Sequence, residues 1–104
     1  MGQPEGTLTA SITRAILRRF PDAYVVKIAG GPYQSGGLPD MAVILRGRYY
    51  GFEVKKRRTG ESEAHARDRA TVRQRKRIAD LRAAGAVADV VLSVEEALAL
   101  LPES

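Results

Sequence analysis

The chain has 104 residues, yet it contains no cysteine, only one histidine and no long apolar run. Without cysteine, a disulfide framework and a thiolate zinc site are both excluded. No apolar stretch approaches the roughly 18 residues of a membrane-spanning helix, and the first residues lack the charged and apolar regions of a signal peptide. We therefore expect a cytoplasmic protein made of one small domain, residues 1–104, with residues 1–6 disordered.

Positive charge is the strongest compositional signal. The chain carries 17 lysine and arginine residues against 12 acidic ones, which gives a net charge of +5 and an isoelectric point of about 10.0. Such an excess favours binding to polyanions, first nucleic acid and second anionic membranes. No long apolar face accompanies the cations, so a membrane partner is not expected. A basic protein that is merely soluble remains the alternative.

Hydrophobic spacing divides the chain into helices and strands. Apolar residues recur at every fourth position from Leu8 to Phe20, as they do on one face of a helix. The predicted helices cover residues 7–20, residues 62–84 and a last stretch opened by the capping box Ser93–Glu96, and the predicted strands cover residues 24–28, 40–45, 49–55 and 87–92. The element order α-β-β-β-α-β-α predicts a small α/β domain.

Residues 38–55 hold the polar side chains around which the rest of the chain is arranged. Because side chains alternate between the two faces of a strand, Glu53 and Lys55 share one face, about 7 Å apart. A turn then folds Asp40 back toward them. A two-residue loop ending at Gly47 would place Asp40 opposite Glu53, and a loop beginning at Gly47 would place it opposite Lys55. Both registers put Asp40 on the same face.

Two carboxylates and a lysine that converge in this way suit divalent-metal hydrolysis of a phosphodiester. Mg²⁺ prefers oxygen ligands and typically binds one or two carboxylates, several waters and a substrate phosphate. A bound cation activates water and offsets charge on the phosphate, and a nearby lysine can orient that water. A surface hairpin with a salt-bridged Glu-Lys pair remains the alternative, because the pattern Glu-x-Lys is very short.

Gln74 is predicted to lie on the inner face of the second helix. Gln74, Ile78 and Leu81 share one helix face by their spacing. Because Ile78 and Leu81 are apolar and must face the sheet, Gln74 points inward as well, toward the hairpin. A buried glutamine needs hydrogen-bond partners, so it is either part of the site or an ordinary polar residue at the edge of the core.

The motifs together resemble a known nuclease family. Pro39-Asp40, followed by Glu53-Val54-Lys55, resembles the PD-(D/E)XK motif. Most of the chain resembles a stand-alone VRR-NUC domain, through the segments GGLPD (36–40), YGFEVK (50–55), a helical Gln74 and VVLSVEEA (90–97). The resemblance implies a restriction-endonuclease-like core, a mixed sheet flanked by helices. In that core the first three strands form an antiparallel meander, and the fourth joins the sheet after the second helix.

The resemblance also implies a role for each motif residue. Asp40, Glu53 and the backbone carbonyl of Val54 would bind Mg²⁺, with Mn²⁺ as a substitute and no small-molecule cofactor. Lys55 would position the attacking water, and Gln74 would contact that water or a phosphate. The family implied is one of homodimeric enzymes that cut branched DNA such as four-way (Holliday) junctions, leaving 5′-phosphate and 3′-hydroxyl ends.

Basic residues near the motif are the candidates for gripping DNA. They are Lys27, Lys56, Arg57, Arg58 and Arg73. A basic run that leaves the strand of Lys55 is well placed to contact backbone phosphates, although isolated basic runs are usually solvated loops. The glycine-rich residues 29–38 allow close approach to a phosphate but lack the residue order of a nucleotide P-loop.

One departure from the family pattern keeps a second function open. The family usually carries a glutamate in its first helix; residues 7–20 contain none, and Glu5 lies outside the predicted helix. This departure favours a non-catalytic nucleic-acid-binding module that has kept the fold, and a protein-interaction domain with an incidental basic surface is a weaker third possibility. The intact Asp40, Glu53 and Lys55 favour a metal-dependent endodeoxyribonuclease.

Overall fold

The computed structural model describes residues 5–28 and 38–103, which form four helices and one four-stranded sheet. The elements in chain order are α1 (Glu5–Arg19), β1 (Tyr24–Lys27), β2 (Met41–Leu45), β3 (Arg48–Val54), α2 (Glu63–Asp68), α3 (Val72–Ala83), β4 (Val87–Val91) and α4 (Val94–Leu100). The predicted α/β class and element order are confirmed, with the predicted second helix divided into α2 and α3.

The main core lies between the sheet and the helix pair α1 and α4. The apolar stripe of α1 is buried, with Ile12, Ile16 and Phe20 each at most 1% exposed. It packs against the strand residues that share this face of the sheet, including Val43 and Phe52. Burying one such side chain contributes about 1.5–3 kcal/mol, so this layer holds α1 firmly on the sheet.

The sheet has the order β1-β2-β3-β4 and mixed pairing. β1, β2 and β3 form an antiparallel meander, while β4 pairs parallel to β3 after the crossover through α2 and α3. A parallel neighbour requires such a long return connection, because both strands run in the same direction. The predicted restriction-endonuclease-like arrangement is therefore present.

The β2–β3 turn decides between the two registers that the sequence left open. Leu45 pairs with Arg48, so the loop consists of Arg46 and Gly47. Both loop residues have positive φ angles, 52° and 80°, as a type I′ hairpin turn requires. The register then sets Asp40 across from Glu53 rather than from Lys55.

The segment predicted as one helix over residues 62–84 is two helices, and that prediction is wrong. The chain leaves α2 after Asp68, and Thr71 adopts an extended conformation before α3 begins. The Thr71 hydroxyl accepts a hydrogen bond from Gln74 N, and Gln74 Oε1 accepts one from Thr71 N. This capping box satisfies two backbone donors at a helix start, which stabilises the break.

The last helix begins as predicted, but its capping box is only half formed. The Ser93 hydroxyl accepts a hydrogen bond from Glu96 N at 3.1 Å. Glu96 Oε1, however, accepts from Leu92 N at 3.0 Å, one residue before the predicted partner. The other oxygen of Glu96 binds the Arg67 guanidinium at 2.6 Å, so this side chain connects α4 to α2.

Helix α3 covers the opposite face of β3 and β4. Ile78 packs with Ala88 and Val90 there. Close approach of the helix depends on Gly51, because a Cβ atom at this position would lie 3.2 Å from Leu81 Cδ1 and 3.1 Å from Pro39 Cγ. Such distances are shorter than ordinary carbon contacts, so a larger residue would push α3 away from β3.

The start of the first helix needs correction. Helix α1 begins at Glu5, so Glu5 lies inside the helix that was predicted to begin at residue 7. The Arg46 guanidinium lies 5.5 Å from the centre of the Phe20 ring, which places the end of α1 beside the hairpin turn. The Glu5 end of α1 therefore lies toward the other end of the sheet, where Asp40 is.

The glycine-rich residues 29–37 lie outside the described part of the chain, as do residues 1–4 and 104. None of the helices in residues 5–28 and 38–103 has the length and apolar character needed to cross a membrane.

Candidate active site

The predicted catalytic side chains meet at the end of the sheet opposite the hairpin turn. Continuing the register one step beyond the pair Met41 and Phe52 places Asp40 and Glu53 side by side. Their side chains alternate with Phe52, which faces the main core, so both lie on the face that α3 covers. Tertiary packing thus brings a strand pair and a helix to one point.

Asp40 is fixed by the neighbouring strand. Its Oδ2 atom accepts a hydrogen bond from Val54 N at 2.8 Å. Its carboxylate is also within hydrogen-bonding reach of the Glu53 carboxylate. Two carboxylates can share such a contact only with a proton or a cation between them, since both are otherwise acceptors.

Gln74 reaches the site as the spacing on its helix predicted. Its Nε2 atom donates to Glu53 Oε2 at 2.9 Å, while its Oε1 atom accepts from Thr71 N at 2.8 Å. The two bonds orient the amide consistently, because a carboxylate only accepts and a backbone N–H only donates. Gln74 therefore ties the start of α3 to Glu53.

Glu53 is the most unusual group in the site. It is 1% exposed, and among the described residues its Oε1 atom has no hydrogen-bond partner. The pKa of Glu53 is raised to about 8, chiefly by burial and then by a hydrogen bond with the adjacent Asp40 and the charge of that residue. The Lys55 ammonium, 3.6 Å from Glu53 Oε2, lowers this pKa but does not offset the other two effects.

The residues present fit a divalent cation. A buried carboxylate oxygen without a hydrogen-bond partner destabilises the fold unless something positive or protic contacts it, and this carboxylate interacts with a second one, Asp40. Within the described residues, no three acidic, histidine or cysteine side chains gather into a metal cluster. A two-carboxylate site matches a cation such as Mg²⁺, which keeps several waters and binds substrate phosphate.

Comparisons with known proteins agree with this geometry. No model of a protein family matches the chain, and no curated protein matches it either. The chain is similar to a solved structure described as a VRR_NUC domain, with 27% identical residues and a TM-score of 0.56. The similarity covers 88% of this chain and 91% of that structure. The chain is a VRR-NUC domain.

This assignment confirms the resemblance seen in the sequence and supports a nuclease-type domain. Four motif residues, Asp40, Glu53, Lys55 and Gln74, lie together in the structure, as the contacts above show. The similarity does not extend to their individual roles, and these roles remain predictions.

The basic residues predicted to bind DNA surround one end of the VRR-NUC sheet. Lys27 is exposed at the end of β1, next to the residue whose backbone bonds Asp40. Lys56, Arg57 and Arg58 follow β3 directly, and the last two are exposed. Arg73 is exposed on the first turn of α3, beside Gln74.

A buried ion pair that sequence reasoning missed anchors the segment after Lys55. The Glu61 carboxylate accepts from Arg69 Nε and from Arg58 N, each at 2.9 Å. Arg69 also donates to the backbone carbonyl of Lys56. The hydrogen bonds from Arg69 are the largest cause of the lowered pKa of Glu61. Glu61 precedes α2 and Arg69 is the residue that ends it, so the pair spans the whole helix and follows no i, i+3 or i, i+4 spacing that the sequence could reveal.

The raised pKa of Glu53 predicts how the stability of the metal-free VRR-NUC domain depends on pH. A carboxyl group whose folded pKa lies above its unfolded value of about 4.5 holds its proton longer in the folded state. The contribution of Glu53 to the free energy of unfolding is therefore largest below about pH 4.5, falls between pH 4.5 and about pH 8, and is lost above about pH 8. We expect the wild-type Tm in EDTA to fall over this interval relative to that of Glu53→Gln.

The difference between the two proteins isolates this group, because Glu61 and every other titrating residue are shared. Tm is measured by circular dichroism from pH 5 to pH 9, with EDTA in every sample. A Tm difference that stays constant across this range would show that Glu53 ionises normally in the folded protein. Addition of Mg²⁺ at pH 8 should raise the wild-type Tm and leave that of Glu53→Gln nearly unchanged.

Proposed function

We propose that this VRR-NUC domain is a metal-dependent endonuclease that hydrolyses DNA phosphodiester bonds. The observation that carries the proposal is the pair of Asp40 and Glu53: the Glu53 Oε1 atom is buried without a hydrogen-bond partner among the described residues, and Oε2 lies 3.6 Å from the Lys55 ammonium. An arrangement with this charge and burial is poorly suited to a purely structural role, because it destabilises the metal-free fold.

Asp40, Glu53 and the backbone carbonyl of Val54 are the groups proposed to hold Mg²⁺ or Mn²⁺. When bound there, the cation supplies Lewis-acid charge that activates water and offsets negative charge on the phosphate. Asp40 is pre-positioned for this by its bond from Val54 N, and Glu53 by its bond from Gln74. Pre-positioned ligands lose little conformational freedom when a cation arrives.

Lys55 is proposed to orient the attacking water and to stabilise charge that develops on the phosphate. It lies one strand position beyond Val54, and its side chain is 14% exposed. A cation held in such a shielded place acts more strongly than one in bulk water. Gln74 is proposed to act through Glu53, because its amide is already engaged on both sides.

The basic segment after β3 is proposed to grip the DNA backbone. Arg57 and Arg58 are exposed, and the Arg57 guanidinium has only a long contact of 3.9 Å with Glu63. Exposed ion pairs at this distance contribute little to stability, so Arg57 can leave Glu63 for a DNA phosphate at little cost in free energy. Lys27 and Lys56 flank the same end of the sheet, and the Glu61–Arg69 pair keeps the backbone between them in place.

We further propose a preference for branched DNA and assembly into a C₂ dimer. The described residues form one domain with one candidate site, so one encounter cuts one strand. Resolving a four-way junction needs two symmetric cuts, which two sites of a C₂ dimer provide. A monomer that nicks flaps or single strands is the competing assembly.

A non-catalytic nucleic-acid-binding module is the second candidate function. It is favoured by the finding that no third acidic side chain joins Asp40 and Glu53 among the described residues. Such a module would keep the basic surface and the fold but would show no cleavage with any divalent cation.

The deciding experiment incubates the protein with a four-way junction, a flap and a nicked duplex, each with Mg²⁺, with Mn²⁺ or with EDTA. We expect cation-dependent cuts near the branch point and none in EDTA. Light scattering at the same protein concentration gives the mass. Absence of cleavage together with retained DNA binding would favour the non-catalytic module, and a monomeric mass with unpaired nicks would remove the dimer.

A further inference from the structure

One face of the sheet is left partly uncovered, next to the proposed active site. Tyr24, Val26 and Ile44 are 65%, 37% and 46% exposed, although all three are large apolar side chains on strands. Tyr24 pairs directly with Ile44, and Val26 lies one row closer to the site. We call these three residues the open sheet face.

The open sheet face exists because α3 is placed over only half of the sheet. The helix packs its apolar residues on Ala88 and Val90 of β4 and on Gly51 of β3. The same face of β1 and β2 continues beyond it, because cross-strand partners share a face. A contiguous apolar strip beside a polar site is typical of a binding surface rather than of ordinary solvent-exposed residues.

The flank of α3 that borders this face carries two exposed arginines. Arg82 follows the inward Leu81 by one residue, and it binds the carbonyl of Ala88 and the carboxylate of Asp89 on β4. Arg82 therefore marks the flank of α3 that faces β4. Residues that come one position before an inward-facing residue lie on the other flank, toward β2. Two of them are Arg73 and Arg77.

Both of these arginines are exposed, and neither makes an ion pair or hydrogen bond with another described residue. The one acidic residue on the same flank, Asp80, is paired with Lys76 at 2.9 Å. The edge of the open sheet face is therefore positively charged, and its apolar floor leads toward Asp40 and Glu53.

The dimensions suit a short length of unpaired strand. The row of Tyr24 and Ile44 lies four strand positions from the row of Asp40 and Glu53. The distance between the two rows is therefore about 13 Å. At about 3.4 Å per stacked nucleotide, that distance covers roughly four nucleotides. Aromatic and aliphatic floors with a cationic edge bind single strands, because every base offers an apolar face for stacking and every linkage a phosphate.

We propose that the open sheet face binds an unpaired strand of the DNA substrate, with bases on Tyr24, Val26 and Ile44 and phosphates on Arg73 and Arg77. This inference rests on the proposed function and, among its branched substrates, favours those with an unpaired arm, such as a flap, over a fully paired four-way junction. A fully paired duplex keeps its bases inside and cannot use the apolar floor. A second copy of the chain seated on this face would bring like charges of Arg73 and Arg77 together.

The absence of tryptophan from the chain allows a direct test. A Tyr24→Trp variant has its single tryptophan, a fluorescent reporter, on the open sheet face. A Leu17→Trp variant has its single tryptophan at an exposed position of α1, which packs on the other face of the sheet. Each is titrated in EDTA with an eight-nucleotide dT strand and with a blunt duplex. We expect the single strand to quench the fluorescence of Tyr24→Trp in a saturable way, with no quenching by the duplex and none in Leu17→Trp.

The charged edge is tested with Arg73→Gln combined with Arg77→Gln, compared with Arg75→Gln on the other flank of α3, whose arginine contacts Asp68. The double variant should bind the strand on the order of tenfold more weakly and lower the slope of log K against log salt by about 1.4, or about 0.7 for each lost phosphate contact. Arg75→Gln should leave that slope nearly unchanged.

The outcomes separate this inference from the proposed function. Cleavage of branched DNA without quenching of Tyr24→Trp would overturn the inference and leave the nuclease standing. Saturable quenching without any cleavage would support the inference and remove the nuclease. A third outcome is that the fluorescence of Tyr24→Trp shifts to the blue as protein concentration rises and does not respond to DNA. That result would show that a second copy of the chain covers the open sheet face, and it would also overturn the inference.

Discussion

Glu53→Gln and Asp40→Asn are each expected to abolish DNA cleavage while raising the Tm of the metal-free protein at pH 8. Each change removes one formal charge from the pair of carboxylates and keeps the shape of the side chain. Cleavage should fall by roughly 10³-fold or more, since the groups of such a site act as a unit. The rise in Tm comes from relieving a buried carboxylate whose pKa is raised and whose Oε1 atom has no hydrogen-bond partner in residues 5–28 and 38–103.

The amide side chains can keep the existing bonds. Asn at position 40 can still accept from Val54 N, and Gln at position 53 can still accept from Gln74 Nε2. The new N–H groups can donate to the neighbouring carboxylate, so a repulsive contact becomes a hydrogen bond. Relief on the order of 1–2 kcal/mol corresponds to roughly 5–15 °C in Tm for a domain of this size.

Asp40→Ala is the matched control. It removes the same charge but leaves Val54 N without its acceptor, so it should abolish cleavage and lower Tm. Activity and stability would then change independently. All three variants would lack activity, but Glu53→Gln and Asp40→Asn would be more stable than wild type and Asp40→Ala would be less stable. If Glu53→Gln were less stable than wild type in EDTA at pH 8, the two carboxylates would not be the destabilising pair described above.

Lys55→Ala is expected to lower the rate of the cleavage step by roughly 10²- to 10³-fold, with a much smaller loss of DNA affinity. The ammonium is shielded, lies 3.6 Å from Glu53 and is positioned to act on charge that develops during the reaction. A group whose interaction strengthens in the transition state affects the rate more than binding. Single-turnover cleavage with enzyme in excess measures that step, and fluorescence anisotropy in EDTA measures affinity.

Arg57→Ala combined with Arg58→Ala provides the contrast for Lys55→Ala. These arginines are exposed on the segment after β3, so their loss should weaken DNA binding and reduce its salt dependence by about one unit per lost phosphate contact. Their effect on the single-turnover rate at saturating enzyme should be smaller than that of Lys55→Ala. Should Lys55→Ala lose affinity alone, its proposed role in orienting water would be wrong.

Local patterns were enough to predict most of the elements and much of the site. Glu53 and Lys55 share a strand face because the strand repeat is two residues. Gln74 points inward because it shares a helix stripe with Ile78 and Leu81, and its bond to Glu53 agrees with that placement. Both inferences depend only on residues close in sequence, for which backbone geometry dictates direction.

Local patterns failed where two local signals competed. The residues of the predicted helix over 62–84 favour helix throughout, yet Thr71 offers a helix start of its own through its capping box with Gln74. The capping signature Thr-x-x-Gln is visible in the sequence, but the many Arg and Ala residues around it favour a continuous helix and led to the prediction of one helix. The two hairpin registers were likewise both compatible with the turn, and the positive φ angles of Arg46 and Gly47 decided between them.

The sequence alone determined which side chains share a face of the hairpin strands and of the helix that carries Gln74, because strand and helix periods are local properties of the backbone. Only the tertiary structure decided that Asp40 lies across from Glu53, that Glu53 is buried with an oxygen that has no partner among the described residues, that Glu61 pairs with Arg69, and that Tyr24, Val26 and Ile44 of the outer strands stay exposed. Burial, pKa and exposed surface depend on what packs against a side chain from distant parts of the chain, and no local repeat encodes that packing.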